Sequence, residues 1–168
     1  PATKLPYGYN LDRAKEYLKK AGHPNGEGLP TLTFDVRASN AASRQRAEFI
    51  KRQLEKIGID AKTVLNTFPA FLKKSRNGQL QFWLDGWSLD YPDAENVLQL
   101  LITKNHAPGP NATNYSNPKF DKYFNELKHL TNGEKKFDLM NKMEDIVHQD
   151  LPWVMLYYSR DYVLYHNY

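Results

Sequence analysis

Two periodicities alternate through the first half of this chain. Leu11, Ala14, Leu18 and Ala21 fall at helical spacing behind Asn10, whose side-chain oxygen suits an N-cap. Gly22, followed by Pro24, closes that helix. From Thr31 to Arg37 apolar and polar residues alternate as in a half-buried strand. The loop Ala38-Ser39-Asn40 opens a second helix, whose stripe is Ala47, Ile50, Leu54 and Ile57, and Gly58 stops it. Ile59 to Leu65 reads as a second strand. Pro69 to Asn77 reads as a short helix closed by Gly78, and Leu80, Phe82 and Leu84 as a third strand ending near Gly86-Trp87. Helices between strands return each strand parallel to the last, so the pattern predicts an open, mostly parallel α/β sheet flanked by helices.

The second half is predicted to be mostly helical. Asp93 is placed to cap a short helix containing Val97, Leu98 and Leu101, and residues 103–116 form a loop. Asn117-Pro118 starts a helix with Phe120, Tyr123, Phe124 and Leu127 on one side. Thr131 and Glu134 have the spacing of a capping box for a last helix with Leu139, Met140, Met143, Ile146 and Val147 at its core face. Trp153 to Tyr158 is expected to be a strand, and Tyr162 to Tyr165 another.

Composition fits this picture. With 168 residues, 40% hydrophobic and 13% aromatic, the chain can build one ordinary domain with a core. There is no apolar run of membrane-spanning length. The net charge of +4 comes from 23 basic and 19 acidic residues mixed along the chain. Basic residues cluster only as pairs, Lys19-Lys20, Lys73-Lys74 and Lys135-Lys136, which read as solvated helix faces, so no nucleic acid partner is expected. The absence of cysteine excludes disulfides, thiol catalysis and Cys-based zinc sites. The opening Pro1-Ala2-Thr3-Lys4 is not a targeting segment, which leaves a processed product or a piece of something longer.

Candidate chemistry follows from topology. In open α/β sheets ligands bind beyond the carboxyl ends of the strands. Three segments reach that edge: Arg37-Ala38-Ser39-Asn40, Asn66-Thr67-Phe68 and Trp87-Ser88-Leu89-Asp90-Tyr91-Pro92-Asp93. The last puts two aromatics and two carboxylates into one short loop, where aromatics offer apolar walls and a carboxylate can neutralise a desolvated cation. Asp93 reads as a helix cap in preference to a ligand group, while Asp90 is equally suited to solvation. No nucleophile elbow, zinc-binding helix or phosphate loop is present. The five histidines are scattered, so neither a metal site nor a cofactor is expected. Asp85, Asp90 and Asp93 lack a partner for acid/base work, so no catalytic residue is assigned. Asn111-Ala112-Thr113 and Asn114-Tyr115-Ser116 match the glycosylation pattern but read as ordinary loop asparagines.

Five segments in order carry a resemblance. They are Tyr9-Asn10-Leu11-Asp12-Arg13-Ala14-Lys15 with Ala21-Gly22, Leu54-Glu55-Lys56-Ile57-Gly58-Ile59, Asp85-Gly86-Trp87-Ser88-Leu89-Asp90-Tyr91-Pro92-Asp93, Tyr115-Ser116-Asn117-Pro118-Lys119-Phe120-Asp121 and Leu151-Pro152-Trp153-Val154-Met155-Leu156-Tyr157-Tyr158. Together they resemble the carboxyl-terminal lobe of the extracytoplasmic solute-binding proteins of peptide ABC transporters. The resemblance implies a type II periplasmic-binding-protein fold, with residues 1–168 as a single α/β lobe whose amino-terminal lobe is absent. It implies a non-enzymatic importer component that binds peptide ligands and works with an ABC permease. It implies a periplasmic or extracytoplasmic location, soluble or lipid-anchored through an upstream segment, with no direct membrane insertion.

By the same resemblance Asp90 pairs with the free α-ammonium of the peptide. Trp87 and Tyr91 match neighbouring family positions, Ser88 offers backbone groups, and Phe68 matches an aromatic facing the cleft. Asn40, on the first edge segment, completes the expected ligand-binding set. Some oligopeptide receptors carry an arginine three residues before that Trp; here the position is Leu84. Relatives that take nickel complexes, haem, oligosaccharides or opines keep other ligands open, as does an effector-binding domain of a transcriptional regulator.

Overall fold

A computed structural model describes residues 7–37, 40–157 and 162–166. Ala38 and Ser39 of the first edge segment, and Tyr158, lie outside them. Helix α1 (Leu11–Lys20) starts where Asn10 Oδ1 accepts from Arg13 N–H, as its sequence predicts. Strand β1 (Leu32–Arg37) follows, then α2 (Ala41–Glu55), β2 (Ala61–Asn66), α3 (Phe68–Arg76) and β3 (Phe82–Leu84). β1 is central, and β2 and β3 both pair with it in parallel. The sheet is the one the periodicity predicts, with a shorter third strand.

β1 departs from a half-buried strand. Phe34, Asp35 and Val36 are consecutive and all buried, because a central parallel strand is covered on both faces. Phe34, Val36, Ala47 and Ala61 form the sheet core, joined by Ile50, Leu54, Phe82 and Leu84. The polar residue in this run is accommodated by partners. Asp35 Oδ1 accepts from Lys74 Nζ at 2.6 Å and from Asn66 Nδ2 at 2.8 Å.

The helical half is α4 (Glu95–Leu98), α5 (Pro118–Leu127) and α6 (Glu134–Asp150), with short 3-10 turns after α4. Leu101, Phe120, Phe124, Leu127, Leu139, Met143 and Ile146 make its own core. Asn117 Oδ1 caps α5 by accepting from Lys119 and Phe120 N–H. Two expectations fail here, for Thr131 and for Lys136. α6 begins after Gly133 with no side-chain cap, so Thr131 does not form the capping box. Lys136 is buried rather than part of a solvated face, because its ammonium has Asp93 to pair with. Asn111 is fully buried, its amide bonded to Ile102 O and Tyr115 O, so it holds the loop closed from inside.

Among the described residues the expected C-terminal strands are also absent. Residues 153–157 and 162–165 carry no strand, and Val154, Leu164 and Tyr165 are 74%, 98% and 86% exposed. A strand needs a neighbour for its N–H and C=O groups, and alternating apolar residues do not provide one. Among the described residues no helix is long and apolar enough to cross a membrane.

Candidate functional site

The parallel strands all end at one edge, and Arg37, Asn66 and Leu84 are their last residues. Leu84 packs against the sheet core. Arg37, which ends β1 at this edge, has its guanidinium 5.4 Å from the Phe68 ring centroid and 3.7 Å from Asp85 Oδ1. That ion pair joins two partly exposed side chains. Phe68 opens α3 behind Thr67, whose hydroxyl accepts from Ala70 N–H. Its ring is left exposed, along with Leu65, Trp87, Leu89 and Tyr91.

The loop after β3 is organised by a residue that the sequence pattern does not single out. Asn96, on α4, is 1% exposed. Its Oδ1 accepts from Trp87 Nε1 at 2.8 Å and from Asp90 N–H at 3.3 Å, and its Nδ2 donates to Asp90 Oδ2 at 3.2 Å. One buried amide thus fixes the indole, the loop backbone and the carboxylate together. Among the described residues no Lys or Arg forms an ion pair with Asp90. The available signal was an Asn directly before the apolar residues Val97, Leu98 and Leu101, since a buried amide requires partners.

Asp93 is engaged within the fold. Its Oδ1 accepts from Glu95 N–H at 2.9 Å, although α4 starts one residue later than an Asp93 N-cap requires. Its Oδ2 meets Lys136 Nζ at 2.5 Å. The Lys136 ammonium, then the Glu95 N–H, hold the Asp93 carboxyl below the usual range. Asn40 Oδ1 caps α2 by accepting from Ser43 N–H. Ser88 is exposed beside Trp87. The edge therefore brings Phe68, Trp87, Asp90 and Tyr91 out as exposed groups.

Residues 1–109 match the family described as "Bacterial extracellular solute-binding proteins, family 5 Middle". Heme-binding protein A of Haemophilus influenzae is 32% identical over 154 residues, covering 91% of this chain and 28% of that protein. Di/tripeptide-binding protein 1 of Pseudomonas aeruginosa is 28% identical over 155 residues, covering 92% and 29%. The solved structure of the periplasmic binding protein DppA from Helicobacter pylori, in complex with peptide STSA, superposes with a TM-score of 0.81 at 31% identity, covering 91% of this chain and 30% of that one. The chain thus spans under a third of the length of these relatives. On the family match and the shared α/β architecture, this chain belongs to the family 5 bacterial extracellular solute-binding proteins.

Proposed function

We propose that this chain is one lobe of a two-lobe receptor that captures peptides outside the cytoplasmic membrane and delivers them to an ABC permease. The observation that carries the reading is the Asp90 carboxylate, oriented by Asn96 at the carboxyl edge of the sheet and paired with no cation among the described residues. An anionic oxygen in that position suits a peptide α-ammonium. Trp87, Tyr91 and Phe68 provide apolar surface for side chains, and Ser88 and Asn40 provide polar groups for an extended backbone. The amino-terminal lobe closes over the peptide and excludes water, which gives the charge pair its weight. The upstream part of the receptor exports the protein, whether as a soluble periplasmic species or on a lipid anchor. No covalent step is involved.

The test is calorimetry on the complete receptor with Asp90→Asn. Truncating one partner of a buried charge pair costs about 2–5 kcal/mol. Peptides with a free amino terminus should weaken accordingly while N-acetylated peptides are spared, and an equal loss for both removes Asp90 from this role. A second reading, haem as the ligand, is favoured by the 32% identity to a heme-binding protein. Arg37 beside an exposed Phe68 would there meet a propionate and a porphyrin face. Hemin titration of the same receptor decides between them, since tight hemin binding without peptide binding replaces the peptide reading.

A further inference from the structure

We infer that Asn96 is the positioning residue of this site, which sets the Asp90 carboxylate and the Trp87 indole as one unit and thereby fixes the preference for a ligand with a free ammonium group. The inference rests on the peptide reading above and goes beyond it by locating the specificity one layer below the ligand. Asp90 sits on an exposed loop, and a carboxylate on such a loop samples many orientations. Its backbone N–H and its Oδ2 both contact the same Asn96 side chain. The amide polarity matches this arrangement: two donors, Trp87 Nε1 and Asp90 N–H, face Oδ1, while the acceptor Oδ2 faces Nδ2.

Asn96 is itself held from beneath. Its backbone N–H donates to Asp93 O, and Asp93 is tied to Lys136 on α6. The helical half therefore sets the register of the carboxylate at the sheet edge. An apolar residue at 96 would leave the Trp87 N–H without its acceptor and Asp90 without its clamp. The ammonium site would then be built only at the moment of binding, at the cost of ordering the loop.

The experiment compares the unsubstituted receptor, Asn96→Leu and Asp90→Asn against one tripeptide, with its amino terminus free or acetylated. For Asn96→Leu, affinity for the free peptide is expected to fall about tenfold or more while the acetylated peptide changes by less than about twofold. A purely structural role lowers both alike, and that result, or no change in either, overturns the inference when Asp90→Asn still abolishes the free-amine preference. If Asp90→Asn leaves that preference intact, the peptide reading itself falls and the inference with it. A measurement on the unsubstituted receptor covers the case in which Asn96→Leu does not fold. The Trp87 indole proton should exchange with solvent about tenfold more slowly than a free indole, and exchange at the free rate overturns the clamp.

Discussion

Lys136 of α6 places its ammonium 2.5 Å from Asp93 Oδ2, with 9% of the lysine side chain and 25% of the aspartate side chain exposed. This pair joins the helical core to the loop that carries Asp90 and Trp87. Removing one partner of a buried pair strands the other charge. Because Asp93 keeps the Glu95 N–H and some solvent, Lys136→Met should cost about 2 kcal/mol, below the buried-pair range. Urea denaturation of the two proteins measures it. The pH dependence has a definite sign. The Asp93 carboxyl lies below its ordinary value in the folded protein, so the pair contributes fully above about pH 4 and loses its contribution as pH falls through the folded value. The difference between wild type and Lys136→Met should shrink toward acid, and a difference that is flat with pH contradicts the pairing.

Asp35 presents the same problem within the sheet. It is 1% exposed at the centre of β1, and its Oδ2 lacks a hydrogen-bond partner. Lys74, a third exposed, and Asn66 satisfy the other oxygen. Lys74→Met should destabilise the protein by about 2–3 kcal/mol, because the carboxylate then remains buried without its counter-charge. Adding Asp35→Leu should recover most of that loss, since the double variant buries no unpaired ion. Denaturation midpoints in which the double variant is the weaker of the two would show that the pair stabilises the fold outright.

Gly26 and Gly58 approach each other too closely for any side chain. A Cβ on Gly26 would lie 1.8 Å from Gly58 O, and one on Gly58 would lie 1.8 Å from Asn25 O, with φ at +79° and +85°. The turn that follows α1 is thus pressed against the turn that ends α2. Gly26→Ala and Gly58→Ala should each cost about 2 kcal/mol or more, combining backbone strain with displacement of a neighbouring chain. Thermal unfolding that moves by no more than it does for Gly133→Ala, a position with open space around it, would rule out the contact.

The amount of this architecture that is readable in the chain depends on where the deciding partner lies. The stripe Ala47, Ile50, Leu54 and the run Phe120, Phe124, Leu127 declare their helices because the information is local and repeats each turn. Asn10 and Asn117 declare helix starts for the same reason. Asp35, Lys136 and Asn111 look like surface residues in sequence, and each is buried because a partner distant or offset in the chain satisfies it. Trp153 to Tyr157 has strand composition, yet no neighbouring strand lies beside it among the described residues. At the candidate site the loop 87–93 is legible from its chemistry and its place after β3. Its geometry is not, because Asn96 acts through an amide that periodicity reads as an interruption.

A last prediction concerns the join between α5 and the end of α6. Tyr115 OH donates to Asp150 Oδ2, and Asn117 Nδ2 donates to the same oxygen at 2.9 Å. Burial, then the hydrogen bond to Asp150, push the Tyr115 phenol up to about 12. The phenol therefore holds its proton more tightly in the folded chain than in the unfolded one. Its contribution to stability is complete below about pH 10 and is lost as pH rises from there toward the folded value. The Tyr115 and Asn117 hydrogen bonds lower the Asp150 carboxyl, so that group acts at the opposite end, contributing above about pH 4 and fading in acid. Tyr115→Phe should remove the alkaline effect and weaken the acidic one, because Asn117 still donates to Asp150. Near-ultraviolet titration of tyrosinate should lose its most alkaline step in the variant, and its stability deficit should be greatest between the two extremes. If the alkaline step persists in Tyr115→Phe, the raised phenol belongs to another tyrosine and the α5–α6 join is held by Asn117 alone.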